Sequence, residues 1–100
     1  MNLYESGPKT RPFDAARYLD TREAQAEYLT AALETGDPAV VRTALATLVR
    51  AHGMHATAKG ADATMQAFHK DLSGSGEPRL STLLGIVTAL GLRLKVEPKP

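Results

Sequence analysis

Apolar residues recur three or four positions apart over most of the chain, which is the spacing of residues on one face of a helix. Four stretches show this pattern, at residues 28–33, 41–49, 67–72 and 80–90. Near the C-terminus the period changes to two, because Leu92, Leu94 and Val96 alternate with charged residues, which is typical of a strand. The pattern therefore predicts an all-α fold of five or six short helices with a short strand near residues 92–96.

Residues that start and stop helices lie between these stretches. Thr21 is a good N-cap for the first stretch, and Asp14 can cap a shorter helix that ends near Leu19. Gly36 is placed to end a helix in the left-handed conformation, and Asp37-Pro38 then starts the next one. Gly53 stops that second helix.

Length and composition indicate one domain. A chain of 100 residues with 43% hydrophobic content can build a single core. We expect a flexible tail at 1–11, a helical domain at 12–97 and a short tail at 98–100. The domain divides into N-terminal helices at 12–52, a helical segment at 53–91 and the strand at 92–97. The absence of cysteine, of a signal peptide and of an apolar run of about 20 residues predicts a cytoplasmic protein without a membrane segment.

The segment at 53–91 has the spacing of a helix-turn-helix. Two helices that cross steeply need a small residue at their contact and a turn of three or four residues. Ala58 supplies the small residue four positions before a turn at Asp62-Ala63, and Thr64 can then cap a helix that runs to Leu72. This spacing predicts a protein that binds duplex DNA.

The outward face of that second helix supplies candidate DNA contacts. We expect Gln66 to bond an adenine edge, Met65 to pack on a thymine methyl group, and Lys70 to reach a phosphate or guanine. Arg79, after the glycine-rich loop, is placed for a backbone phosphate. The complete candidate set is Thr64, Met65, Gln66, His69, Lys70 and Arg79. An ordinary solvated helix face is the alternative interpretation, against which an exposed methionine weighs.

The distribution of charge agrees with a DNA-binding C-terminal half. Residues 1–40 contain four basic and seven acidic residues, a net charge of −3, whereas residues 41–100 contain eight basic and four acidic residues, a net charge of +4. A basic half is what phosphate binding requires. In so short a chain, chance can also produce such an asymmetry.

Nothing in the sequence predicts catalysis or a bound cofactor. His52, His55 and His69 are the only histidines, and no cysteine or carboxylate cluster accompanies them, so a zinc site is not expected. The loop around Gly74-Ser75-Gly76 follows no strand and is too short for nucleotide phosphates. We therefore predict a binding protein without metal, cofactor or small-molecule substrate.

The lone strand predicts a homodimer. An isolated strand leaves backbone donors and acceptors unpaired, and the same strand of a second subunit is the simplest partner. Leu92, Leu94 and Val96 would then form the dimer interface. Two-fold pairing would also place two recognition helices about 34–36 Å apart, which is one turn of DNA. A frayed tail is the alternative interpretation.

Several blocks of the sequence resemble addiction-module antidote proteins, the HigA-like antitoxins with a Cro/repressor-type helix-turn-helix. These blocks are PFDAARYLD at 12–20, ALETGDPAVV at 32–41, Gly53-Met54, and LSGSGEPRLSTLLGIVTALGLRL at 72–94. The resemblance implies a cytoplasmic antitoxin that neutralises a RelE/ParE-like toxin by direct binding and represses its own operon. A stand-alone phage-type repressor without a toxin is the alternative.

Two positions depart from that family within the DNA-reading unit. Members typically have threonine-glutamine where His55-Ala56 stands, and glycine-leucine where Asp62-Ala63 stands. Aspartate tolerates a left-handed turn at modest cost, but Ala63 fills less of the core than leucine would. We expect these changes to weaken DNA binding more than toxin binding.

Overall fold

The computed structural model describes residues 18–60, 65–74 and 77–100, and the described chain folds into five α-helices. They are α1 (Arg22–Glu34), α2 (Pro38–His52), α3 (Met54–Gly60), α4 (Met65–Ser73) and α5 (Leu80–Ala89). The all-α prediction is confirmed. The expected N-terminal tail, the helix capped by Asp14, and the turn at Asp62-Ala63 with Thr64 lie outside the described residues.

Local sequence signals fix the ends of the first helices, as predicted. The Thr21 hydroxyl accepts a hydrogen bond from the Ala24 amide at 3.0 Å, and the Asp37 carboxylate accepts one from the Ala39 amide at 2.9 Å. Gly36 follows α1 with a φ of +69°, which is the left-handed region that favours glycine.

A single residue, Gly53, separates α2 from α3. Its amide donates to the carbonyl of Val49 at 2.7 Å, and its own carbonyl accepts from both the amide and the hydroxyl of Thr57. Its φ of +104° and ψ of 125° belong to a region that L side chains rarely adopt. Gly53 therefore ends one helix and begins the next.

The second helix is the centre of the molecule, because α2 packs against each of the other four helices. Its stripe of Val41, Ala44, Leu45, Leu48 and Val49 is buried, which confirms the predicted core face. Phe68 from α4 and Ile86 from α5 pack into the same cluster.

The third helix lies against α5 at very short range. A methyl group built on Gly60 would stand 3.0 Å from the Cβ of Ala89 and 3.2 Å from its Cα, so the two backbones approach closely. Ala58, the small residue expected at a helix contact, is 3% exposed. Small side chains thus permit the tight packing of α3.

The predicted strand at 92–96 is not seen, because a β-ladder needs a partner strand and the described residues contain none. The amide of Leu92 donates instead to the carbonyl of Val87 at 2.9 Å, and its half-buried side chain packs on the core. Leu94 is 41% exposed and Val96 is 95% exposed. Only these last two apolar residues of the segment are available to a partner.

The buried face of α5 is not the face on which Leu80 and Leu84 lie. Leu80 and Leu84 are 67% and 45% exposed, whereas Thr82 and Ile86 are buried. The sequence LSTLLGIVTA is apolar on nearly all sides, so its periodicity does not select the buried face. No helix in the described part of the chain is both long enough and apolar enough to cross a membrane.

Candidate nucleic-acid interface

The fourth helix divides into a buried and an exposed face. Phe68 and Leu72 are 2% and 9% exposed and face the core, whereas Gln66, His69 and Lys70 are exposed. This is the division expected for these five residues. Thr64 and the side chain of Met65 lie outside the described residues. The structure therefore brings three of the six candidate DNA-contacting side chains together on one exposed helical surface.

An aspartate at the end of α4 ties this helix to the beginning of α5. The Nε of Arg79 donates to both carboxylate oxygens of Asp71, at 3.1 Å and 2.9 Å, and the Thr82 hydroxyl donates to the second oxygen. The Asp71 side chain is 11% exposed and the Arg79 side chain 62% exposed, so only the carboxylate partner of this ion pair is covered. The position of α4 is thus fixed by polar bonds as well as by the core.

These bonds lower the pKa of the Asp71 carboxyl below its ordinary value. The hydrogen bond from Thr82 is the largest cause, and the bonds and charge of Arg79 add to it, while partial burial acts in the opposite direction. Asp71 is consequently a stable acceptor for both donors at neutral pH.

The structure changes the expected role of Arg79. The residue lies just before α5 and its side chain is 62% exposed, but its Nε is bonded to Asp71 rather than directed only at solvent. Arg79 therefore joins two elements of the fold, and a phosphate contact would be additional to that role. Sequence reasoning missed Asp71 because its partners lie 8 and 11 residues away, beyond any helical period.

A basic segment precedes α4 in the sequence. Residues 50–60 contain two cationic side chains, Arg50 and Lys59, and two histidines, but no acidic residue. Arg50 lines a cleft of about 350 Å³ between α2 and α4 together with His69 and Met54. Arg50 was not among the candidate residues, although the charge count of the C-terminal half included it.

The three histidines do not form part of a metal-binding cluster. Among the described residues, no group of three or more histidine and carboxylate side chains is arranged to hold an ion.

We predict that Asp71→Asn lowers the free energy of unfolding by about 1–2 kcal/mol at pH 7, because it removes the charge that both donors share. The folded-state pKa of Asp71 is lowered, so its contribution is present above its ordinary pKa and is lost as the pH falls through the folded value. The difference between wild type and variant should shrink below about pH 4. Urea unfolding at pH 7 and pH 3 measures both effects.

Glu77→Gln is the control for that experiment, because it removes an exposed carboxylate from the same region. It should change stability by less than about 0.5 kcal/mol. An equal loss in both variants at pH 7 would show that the Asp71 bonds contribute nothing specific.

Comparison with known proteins identifies the family to which this chain belongs. The model of a family described as "Probable addiction module antidote protein" matches residues 9–98. An uncharacterised protein of Haemophilus influenzae is 30% identical over 87 residues, which cover 87% of this chain and 90% of the relative. No solved structure matches. On the extent of these matches, the chain belongs to the family of probable addiction module antidote proteins.

Proposed function

We propose that this protein is the antitoxin of a type II toxin-antitoxin module. It neutralises a RelE/ParE-like toxin by direct binding and represses its own operon by binding DNA as a homodimer. The observation that carries the proposal is the exposed face of α4, with Gln66, His69 and Lys70 held outward on a firmly anchored helix, in a chain of the antidote family.

The packing of α3, α4 and α5 supports a HigA-like, Cro/repressor-type helix-turn-helix. In such a unit the recognition helix must be held rigidly so that its side chains keep their register with the base edges. Phe68 and Leu72 pack the buried face of α4 into the core, and Asp71 near the C-terminal end of α4 binds Arg79. The small contact residue Ala58 lies on the preceding helix. Lys70 and the basic region at 50–60 supply the attraction to phosphates.

An antidote acts by binding, and we therefore infer a regulatory protein rather than an enzyme. Neutralising a toxin and occupying an operator both require complementary surfaces and neither requires a cofactor. Both activities place the protein in the cytoplasm, where its operon and toxin are found.

A stand-alone repressor without a toxin is the second candidate, and the exposed α4 face favours it equally. The two candidates differ only in whether a toxin partner exists. Co-expression separates them because a repressor alone cannot rescue a cell from a toxin at saturating induction.

We expect co-expression of this protein to restore growth of cells that express the small basic toxin encoded beside its gene from an unrelated promoter. The unrelated promoter removes repression as a cause of rescue. Growth after induction is the measurement, and a variant with a stop codon at position 22 is the control. If no toxin gene lies beside this gene and growth is not restored, the result would favour the stand-alone repressor.

We expect Gln66→Ala to relax base preference at one operator position, at a cost of about 1–3 kcal/mol for the preferred sequence. Lys70→Ala should weaken binding to all sequences alike and reduce the salt slope by about one. Titration of the protein's own promoter fragment and of point variants of it, at several salt concentrations, measures both.

Lys99→Ala, in the C-terminal segment, is the matched control for Lys70 and should leave the salt slope unchanged. Unchanged operator preference in Gln66→Ala would contradict the assigned register of the recognition helix.

The homodimer is proposed on the C-terminal segment. Leu94 and Val96 are exposed, and pairing this segment across a two-fold axis would bury them and satisfy unpaired backbone groups. Leu92 belongs to the protomer's own core and contributes little to this interface, because its amide and side chain are already engaged. A strand would form only upon pairing.

We predict that Leu94→Pro converts the dimer to a monomer, because proline removes a ladder donor. Leu94→Thr, which suits a strand, should remain dimeric. Sedimentation velocity measures the mass, and thermal unfolding checks that the helices remain folded. A monomeric wild type at high micromolar concentration, or a dimeric Leu94→Pro, would exclude this interface.

A further inference from the structure

A shallow apolar groove runs between α1 and the first half of α2. Its volume is about 490 Å³. The lining residues are Tyr28, Ala31, Ala32, Thr35, Ala39, Val40, Thr43 and Ala44. We infer that this α1–α2 groove is the docking site for the toxin, through a segment of the toxin that has an apolar face and flanking basic residues. The inference rests on the proposed antitoxin function and names the surface that performs it.

The surface of the groove remains apolar at its two threonines. The Thr35 hydroxyl donates to the carbonyl of Ala32 at 2.6 Å, and the Thr43 hydroxyl donates to the carbonyl of Ala39 at 3.0 Å. Because both hydroxyl protons are used by backbone oxygens within the same helices, an apolar partner leaves neither donor unsatisfied. Val40, which is 39% exposed, gains most from being covered.

Charge around the groove specifies a basic partner. Residues 22–42, which span α1 and the start of α2, include four acidic side chains and two basic ones, Arg22 and Arg42. Glu27 precedes the lining residue Tyr28, and Asp37 lies between the lining residues Thr35 and Ala39. Both acidic side chains are exposed. An apolar floor with acidic edges attracts a basic segment during encounter and then buries its apolar face.

The neighbouring cleft fits a basic segment less well. That cleft, of about 400 Å³, lies between α1 and the C-terminal segment and has both Arg93 and Lys95 in its lining. Its two acidic lining residues are Glu34 and Glu97, and Glu97 already forms an ion pair with Lys95 at 3.5 Å. Like charges at an interface oppose binding, so the α1–α2 groove is the better match for a basic segment.

The α1–α2 groove shares no residue with the cleft beside α4. The groove uses the part of α2 from Ala39 to Ala44, whereas the α4 cleft uses Ala46 and Arg50. A toxin in the groove would therefore contact a different set of residues from those assigned to DNA. Substitutions in one set can be tested without altering the other.

The absence of cysteine from the chain permits a direct test by labelling. Val40→Cys places one thiol in the groove, and Leu84→Cys places a matched thiol on the exposed side of α5. Each is treated with a fluorescent maleimide in the presence and absence of the neighbouring-gene toxin. We expect the toxin to slow labelling at position 40 at least tenfold and to change labelling at position 84 less than twofold.

Affinity measurements on charge variants complete the test. Val40→Arg should raise the dissociation constant for the toxin at least tenfold, and Leu84→Arg should not. Glu27→Lys should slow association and weaken its salt dependence, whereas Glu77→Lys should not. Thermal unfolding and promoter binding, both unchanged, show that the variants remain folded.

The outcomes separate the inference from the proposed function. Tight toxin binding by wild type and by Val40→Arg alike, with no protection of the thiol, overturns the groove and leaves the antitoxin function intact. Failure of the wild type to bind the toxin overturns both. Slow labelling at position 40 in the absence of toxin also overturns the inference. If labelling slows further as the protein concentration rises, a second copy of this chain occupies the groove.

Discussion

Burial of one face of α2 is the constraint on which the rest of the structure depends. Leu45 and Leu48 have no exposed surface, and every other helix packs against α2. Replacing either leucine with alanine in such a site would typically cost about 2–5 kcal/mol, which is a large part of the stability of a small domain. The α1–α2 groove and the α4 cleft both have one wall on α2. Its core therefore supports both proposed binding surfaces at once.

Much of the fold follows from the sequence because its signals are local. The caps at Thr21 and Asp37 and the left-handed glycine at 36 act within a few residues, and the structure has the helix ends where these residues predict them. The buried face of α5 could not be chosen in this way, since leucines such as Leu84 surround the helix. Only packing against the other helices selects Thr82 and Ile86 as the buried side.

The candidate site likewise has one part that the sequence predicts and one part that it does not. The outward orientation of Gln66, His69 and Lys70 follows from the position of Phe68 on the opposite face, which helical periodicity reveals. The Asp71–Arg79 pair depends on how the chain returns after the loop, and no periodic pattern encodes that return. The alternation near the C-terminus predicts a strand. A strand must pair with a second segment or chain, and the sequence of one chain does not reveal that partner.

Gly53 has a consequence for how this architecture can change. A β-carbon built there would meet nothing closer than Ala56 Cβ at 4.0 Å, so the position is restricted by backbone torsion and not by space. A residue that favours helical angles would fit sterically while favouring continuation of α2 into α3 as one straight rod. Such a rod would carry α3 away from α5 and leave the contact at Ala89 open to the α3 of another molecule. The positive φ of Gly53 thus keeps α3 folded back against α5 within one molecule.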